Sequence, residues 1–244
     1  MSHFLRPLFS FYALYCKRNG GKLMKLLEKM TNHLTEIGFS KEDIENVLSA
    51  SVHVAQGIAM YAHRNQRRVN GELYVVHPYS VMQKYRKLVG IVENDQYCLN
   101  VPLLTEECNI PYEGVQECCL LHDVLEDTNV TLDEMEELFD GLSLGSYFRV
   151  HIKPALLLLT HDKSEDYFTY VGKVLNDPVA SLVKLMDMAD NMDVSTLDCL
   201  GDNEVARIQR YAACAKMIND KWHFLENAQK YFALLYAKRA EQNA

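Results

Sequence analysis

The sequence predicts an all-α protein with at most one short β-hairpin. Apolar residues recur at helical spacing through most of the 244 residues, and helix-start signals precede several of these stretches. One segment, residues 68–76, has strand character, because Asn70-Gly71 between β-forming residues is a tight-turn signal. A single hairpin does not make a sheet, so the predicted architecture is a bundle of helices.

The first half of the chain is predicted to contain four helices. We interpret residues 1–22 as an N-terminal extension and 23–244 as a single domain. Ser40 and Asp43 have the spacing of a capping box, and Pro78 suits the first turn of a helix. On these signals, the helices are expected at 23–37, 41–62, 78–89 and 112–126, with a loop at 91–112.

The second half is predicted to be helical nearly throughout. Thr131 and Glu134 form a second capping box, which opens an acidic helix that ends near Phe139. Further helices are expected at 149–160, 165–175, 178–192, 203–218 and 219–240. The sequence contains neither GxxxxGK nor GxGxxG, so the phosphate-loop folds have no support.

The composition is that of an ordinary globular protein. Hydrophobic residues make up 48% and charged residues 24% of the chain, and no apolar run approaches the ~18–20 residues of a membrane span. The net charge of −8 argues against a nucleic-acid binder held by a basic surface. We therefore expect a small-molecule partner, no nucleic acid and no membrane, and homo-oligomerisation is left open.

The seven cysteines indicate a reducing, cytoplasmic setting. Their number is odd and no C-x-x-C pair occurs, which excludes a zinc ribbon and a secreted disulfide framework. The N-terminal apolar stretch is short and contains Pro7, so we do not interpret it as a signal peptide. Free thiols are typical of the cytoplasm.

The segment LLHDVLEDT, residues 120–128, is the most informative in the chain. On a helix, residues four apart share a face, so His122 stacks over Glu126, and Asp123 over Asp127. His122 also continues an apolar, core-facing row, where ionisable groups are costly unless they are paired or bound to a metal. The alternative is a solvated helix end, which four inward-facing ionisable residues within six positions make less favoured.

Two other segments carry ionisable groups close to apolar faces. Asp187 lies at the edge of such a face and Asn191 follows it by four residues, which fits either a surface pair or a ligand with its supporting partner. His63 extends an apolar row at the end of a predicted helix, where a lone histidine is usually a satisfied core residue. His77 is interpreted as a cap or brace for a loop.

Together these segments form an H…HD…D pattern that resembles the HD phosphohydrolase signature. More narrowly, the chain resembles the (p)ppGpp hydrolase domain of the RelA/SpoT family, in its short, single-domain form. The resemblance implies an HD-domain helical bundle that removes the 3′-pyrophosphate from a guanosine nucleotide. The matching segments are AHRNQRRVNGELYVVHP at 62–78, LLHDVLEDTNVTLDEMEELF at 120–139 and VKLMDMADNMDVSTL at 183–197.

The resemblance also implies a set of metal ligands. By position, His63, His122, Asp123 and Asp187 match the ligands of the family. Two imidazoles and two carboxylates form a mixed nitrogen and oxygen set, which suits Mn²⁺ or another divalent ion.

Residues for catalysis and substrate binding follow from the same resemblance. Glu126 and Asp127 match the acidic pair beside the attacking water, and Asn191 matches a polar residue near the substrate. Because the substrate is strongly anionic, we also expect nearby cations to contact its phosphates. Arg67, which would stack on His63 in one helix, and Lys184 are the predicted contacts.

Two alternative functions remain open at this point. The chain could be an HD phosphohydrolase for another nucleotide or a dinucleotide phosphate, or a non-catalytic regulator that keeps the helical shell. The internal acids argue against the regulator. Residues 51–62 lack the Lys or Arg that longer relatives place near the guanine, so weaker discrimination between bases is expected.

Overall fold

The computed structural model describes residues 25–90, 107–197 and 199–242, and its regular elements are helices. No strand occurs among these residues, since the predicted hairpin is only an isolated antiparallel bridge between Arg67 and Leu73. Gly71 has φ of 84° in the turn between them, a conformation that glycine adopts without strain. The all-α prediction is confirmed. The predicted extension at 1–22 and most of the predicted loop at 91–112 lie outside the described residues.

Short connections join the helices of each described range. The α-helices are α1 (Lys25–Glu36), α2 (Lys41–Val47), α3 (Ser51–Ala62), α4 (Val76–Leu88), α5 (Val115–Leu121), α6 (Val124–Asp127), α7 (Leu132–Gly141), α8 (Gly145–Tyr147), α9 (Lys153–Leu159), α10 (Tyr167–Val174), α11 (Pro178–Asn191), α12 (Asp202–Trp222) and α13 (Phe224–Gln242). A π-helical turn, Phe148–Ile152, joins α8 to α9, and a 3₁₀ turn, Val194–Thr196, follows α11.

Local sequence signals explain several helix boundaries. Both predicted capping boxes form, one at Ser40 before α2 and one at Thr131 before α7. The single helix predicted at 41–62 is wrong, because α2 ends at Val47 and α3 begins at Ser51. In the gap, the Ser49 hydroxyl donates to the Asn46 carbonyl at 2.6 Å, and a short polar side chain that competes for backbone groups in this way favours a turn.

The helix predicted at 112–126 is also interrupted. α5 ends at Leu121 and α6 begins at Val124, which leaves His122 and Asp123 in a turn. The Nδ1 of His122 lies 2.8 Å from the carbonyl oxygen of Cys119, which fixes the imidazole at this break. The HD pair therefore lies at the junction of two helices rather than on the face of one.

The core lies around three helices, α4, α5 and α11, which pack against one another. α3 packs against α5, α1 packs against α3, and α12 packs against α11. The predicted apolar row of α5 is fully buried, including Val115, Cys118 and Cys119. Among the described residues, every helix is too short or too polar to span a lipid bilayer. The convergence of α4, α5 and α11 brings together residues that are far apart in the sequence.

Candidate metal centre and its cavity

Two histidines and two aspartates meet where α4, α5 and α11 converge. Ligand atoms of His77, His122 and Asp187 all lie within 4.8 Å of one another, and the three residues are buried. Asp123 completes the group, because its Oδ2 lies 3.1 Å from the Nε2 of His122 and 3.5 Å from the Nε2 of His77. The Oδ1 of Asp187 lies 3.2 Å from the Nε2 of His77. We call these four residues the His/Asp cluster.

His122 has a free nitrogen directed at this cluster. Its Nδ1 donates to the carbonyl oxygen of Cys119, so Nε2 is available as a ligand atom. That Nε2 is buried and no described residue forms a hydrogen bond with it, although Asp123 lies at charge-contact distance. A buried polar atom without a hydrogen bond is costly. A divalent metal ion would satisfy it, so the donor set fits a metal.

The charges of the cluster also favour a cation. Burial lowers the pKa of His122, but Asp123 and Asp187 outweigh this effect and raise it to about 10. Burial raises the pKa of Asp123, but the His122 imidazolium brings it well below its usual range. Lys184 does the same for Asp187. Both acids are therefore ionised, which is the form that binds a metal. Without a metal, the high pKa keeps a proton on the Nε2 of His122, and a metal ion bound there would displace that proton.

His63 does not belong to this group, contrary to the prediction. α3 ends at Ala62, and the His63 ring packs against Tyr74 with centroids 4.8 Å apart while Gln66 contacts its Nδ1. The Nε2 of His63 is buried without a hydrogen bond, but it is not among the ligand atoms within 4.8 Å of one another. His77, interpreted above as a loop brace, is instead the second histidine of the cluster. The signal for it was its position in the first turn of α4, where the chain enters the core.

Asp187 is held by two residues of its own helix. Asn191 donates from Nδ2 to its Oδ1 at 2.6 Å, as the spacing of four predicted. Lys184 donates from Nζ to its Oδ2 at 2.8 Å and lies over the rings of Tyr167 and Tyr170. The Lys184 side chain is 12% exposed and is not part of the cavity described below. This placement supports a role in orienting Asp187 rather than the predicted contact with substrate.

The two predicted catalytic acids lie at the solvent side of the cluster. The Tyr74 hydroxyl donates to Asp123 Oδ2 at 2.7 Å and lies 3.4 Å from Asp127 Oδ2. Asp127 is therefore a neighbour of Asp123, which belongs to the cluster. Lys163 Nζ lies 3.9 Å from a Glu126 oxygen and 3.8 Å from an Asp127 oxygen. Both acids are partly exposed, and water can reach them.

A cavity of about 300 Å³ opens beside the cluster. Three arginines form part of its wall, namely Arg67, Arg68 and Arg207, together with His77 and Asn191. The same cavity is therefore lined by cationic side chains, by His77 of the His/Asp cluster and by Asn191, which supports Asp187.

Arg67 reaches this cavity by a different route from the predicted one. It was expected to stack on His63 in a continuous helix, but α3 ends before both residues. Arg67 lies beyond the turn that follows α3, at the bridge to Leu73, and its guanidinium donates to the Gly71 carbonyl at 2.8 Å. It is exposed at the rim of the cavity, so its predicted position near a substrate phosphate is compatible with the structure.

Comparison with known proteins identifies the family to which the chain belongs. No family model matches the chain. The mouse guanosine-3′,5′-bis(diphosphate) 3′-pyrophosphohydrolase MESH1 is 30% identical over 174 residues, which cover 70% of this chain and 83% of the mouse protein. The chain belongs to this hydrolase family. The resemblance predicted from the three motifs is confirmed.

Long bacterial members of the hydrolase family match the chain over a part of their length. The Aquifex aeolicus guanosine-3′,5′-bis(diphosphate) 3′-pyrophosphohydrolase is 28% identical over 158 residues, 62% of this chain and 20% of that protein. The Escherichia coli bifunctional (p)ppGpp synthase/hydrolase SpoT is 28% identical over 190 residues, 77% of this chain and 23% of that protein. The chain thus spans about a fifth of the length of these two relatives.

Proposed function

We propose that this protein is a metal-dependent hydrolase that removes the 3′-pyrophosphate of guanosine 3′,5′-bis(diphosphate) or a related alarmone, giving GDP or GTP and pyrophosphate. Membership of the hydrolase family supports this function. The observation that carries it is the shared wall of cluster and cavity, since His77 and Asn191 border the space that the arginines line. A phosphate held by those arginines would lie next to the proposed ligands.

The proposed ligands of the metal are His77, His122, Asp123 and Asp187, and the proposed ion is Mn²⁺. Two imidazoles and two carboxylates suit this ion, and four protein ligands leave room in its coordination shell for water and a phosphate oxygen. When bound, the metal polarises the phosphoryl group and acidifies a water. The hydrogen bond from Nδ1 of His122 to Cys119 and the bonds from Lys184 and Asn191 to Asp187 keep these ligands oriented.

Glu126 and Asp127 are the proposed catalytic acids. Asp127 is linked to Asp123 through the Tyr74 hydroxyl, so it lies within reach of a water at the cluster. In this role Asp127 orients the attacking water and takes its proton, while Glu126 beside it can accept the proton in turn.

The arginines of the cavity are the proposed binding groups for the phosphates. The protein carries a net charge of −8, so a substrate with two diphosphate groups needs local cations to offset repulsion. Guanidinium groups bind phosphate oxygens through charge-assisted hydrogen bonds, and they suit this role. Arg67, Arg68 and Arg207 are the cations of the described cavity wall.

The test is a substrate panel with the purified protein and Mn²⁺, in which chromatography identifies the products. Guanosine 3′,5′-bis(diphosphate) should yield GDP and pyrophosphate, and EDTA should stop the reaction until Mn²⁺ is restored. We expect a preference for guanine over adenine well below the ~10⁴-fold of a dedicated hydrogen-bonding pocket. Cleavage of only other nucleotides or dinucleotide phosphates would identify a different HD phosphohydrolase. Metal binding without any cleavage would identify a non-catalytic regulator.

A further inference from the structure

Asp190 of α11 is a buried acid with no role in the mechanism proposed above. It is 2% exposed, and four side chains converge on its carboxylate. The Nδ1 of His77 donates to Oδ2 at 2.7 Å, and Arg68 lies 3.4 Å from the same oxygen. Ser80 donates a short hydrogen bond to Oδ1, and Lys84 Nζ lies 3.4 Å from it. Both oxygens of this carboxylate are therefore occupied.

The hydrogen bond from His77 to Asp190 determines which nitrogen of the imidazole faces the cluster. Because Nδ1 donates its proton to Asp190, the Nε2 of His77 faces the cluster, 3.2 Å from Asp187 and 3.5 Å from Asp123. A carboxylate in this position fixes the tautomer and orientation of a ligating histidine and increases its basicity. His122 receives the same kind of support from a neutral backbone carbonyl.

Asp190 also reaches the cavity through Arg68. Arg68 forms part of the cavity wall while one guanidinium nitrogen lies at the Asp190 carboxylate. Ser80 and Lys84, both on α4, hold the opposite oxygen, so the carboxylate cannot rotate without the loss of these contacts. A single side chain thus connects a cluster histidine to a cation that faces the substrate space.

We propose that Asp190 is a positioning residue that directs His77 towards the metal and holds Arg68 at the cavity wall. The inference rests on the proposed metal centre, but not on the identity of the substrate. It assigns Asp190 to the support of two groups that act in different steps, metal binding and phosphate binding.

The test compares Mn²⁺ affinity, measured by calorimetric titration without substrate, in matched variants. Asp190→Asn keeps the shape of the side chain but removes its charge, and it should weaken Mn²⁺ binding on the order of 10-fold or more and raise KM. Arg68→Gln should raise KM and leave Mn²⁺ affinity unchanged. Glu117→Gln is the matched control, because Glu117 is also buried but accepts from Ser51 of α3, and it should bind Mn²⁺ like the wild type.

A second measurement does not depend on the folding of any variant. Two-bond ¹H–¹⁵N spectra of histidine-labelled wild type, loaded with diamagnetic Zn²⁺, should show the His77 proton on Nδ1. A proton on Nε2 would overturn the inference, as would equal Mn²⁺ affinity in Asp190→Asn and wild type.

The outcomes separate the two proposals. If the wild type binds no divalent ion, the metal centre and the role of Asp190 both fail. If Asp190→Asn weakens Mn²⁺ binding but no guanosine bis(diphosphate) is cleaved, the role of Asp190 stands and the proposed substrate fails.

Discussion

At the scale of single residues, the two candidate histidines differ in how the backbone presents them. His63 follows the last residue of α3 and lies against Tyr74, whereas His77 lies inside the first turn of α4 with Asp190 on its Nδ1. Both are buried, so burial does not separate a ligand from a packed histidine. The surroundings of the other ring nitrogen do, because the Nε2 of His77 lies 3.2 Å from Asp187 and 3.5 Å from Asp123, whereas the Nε2 of His63 is not among the ligand atoms within 4.8 Å of one another.

The assignment of the ligand can be tested by a pair of alanine variants. His77→Ala should abolish Mn²⁺ binding, because it removes one of the four proposed ligands. It also leaves Asp123 and Asp187 without the imidazole that lies against their carboxylates. His63→Ala should retain Mn²⁺ affinity close to that of the wild type, although packing against Tyr74 is lost. Calorimetric titration measures both. The reverse result, with binding lost only in His63→Ala, would restore the ligand set predicted from the sequence.

The two acids at the solvent side of the cluster can be tested together. Glu126→Gln combined with Asp127→Asn keeps the shape of both side chains and removes their charge. If the pair serves the attacking water, kcat should fall by ~10²-fold or more while Mn²⁺ binding persists. Asp133→Asn with Glu137→Gln changes two exposed acids of α7 and should leave kcat unchanged. Equal kcat in both double variants would mean that Glu126 and Asp127 have no catalytic role and are simply partly exposed acids at the end of a helix.

At the scale of helices, the starts that carry a capping box were predictable, whereas the breaks between helices were not. Each capping box is complete within four consecutive residues, so the sequence alone predicts that helices begin after Ser40 and Thr131. The break at His122 also places its Nε2 3.6 Å from Asp187 of α11, a long-range partner that no local pattern contains. The same limit applies to the site, because the bond from His77 to Asp190 joins residues 113 positions apart.

The start of α5 gives a test of a helix boundary. Gly114 precedes this helix with φ of 76°, and a Cβ there would lie 2.1 Å from the carbonyl oxygen of His151. Gly114→Ala should lower the free energy of unfolding by more than the ~1–2 kcal/mol that left-handed backbone costs an ordinary residue, because the contact adds to it. Thermal unfolding of the metal-free protein measures the change.

Gly172→Ala is the control for that substitution. Gly172 lies within α10, and nothing is within 4 Å of the position that its Cβ would occupy. Alanine there should stabilise the protein by roughly 0.5–1 kcal/mol, since glycine is a poor helix former. A stable Gly114→Ala variant would mean that α5 can shift away from His151, and with it the HD pair.

At the scale of the whole molecule, the cluster is the point where distant parts of the chain depend on one another. Its residues come from α4, from the junction of α5 and α6, and from α11, and these helices form the centre of the core. An acidic chain with a net charge of −8 concentrates buried carboxylates here, beside a cavity with three arginines. A divalent ion would therefore tie the core together and balance its charge at the same place.

Metal binding should consequently raise the melting temperature of the whole chain. An ion that binds the folded state but not the unfolded state stabilises by about 2.7 kcal/mol when its concentration is 100 times Kd. For a domain of this size, that is on the order of 5–10 °C in Tm. Differential scanning calorimetry with Mn²⁺, and then with EDTA, should show the rise and its reversal in the wild type, and neither in His77→Ala. An equal rise in that variant would mean that the stabilising ion binds elsewhere, since the folded chain would gain the same energy without its proposed ligand.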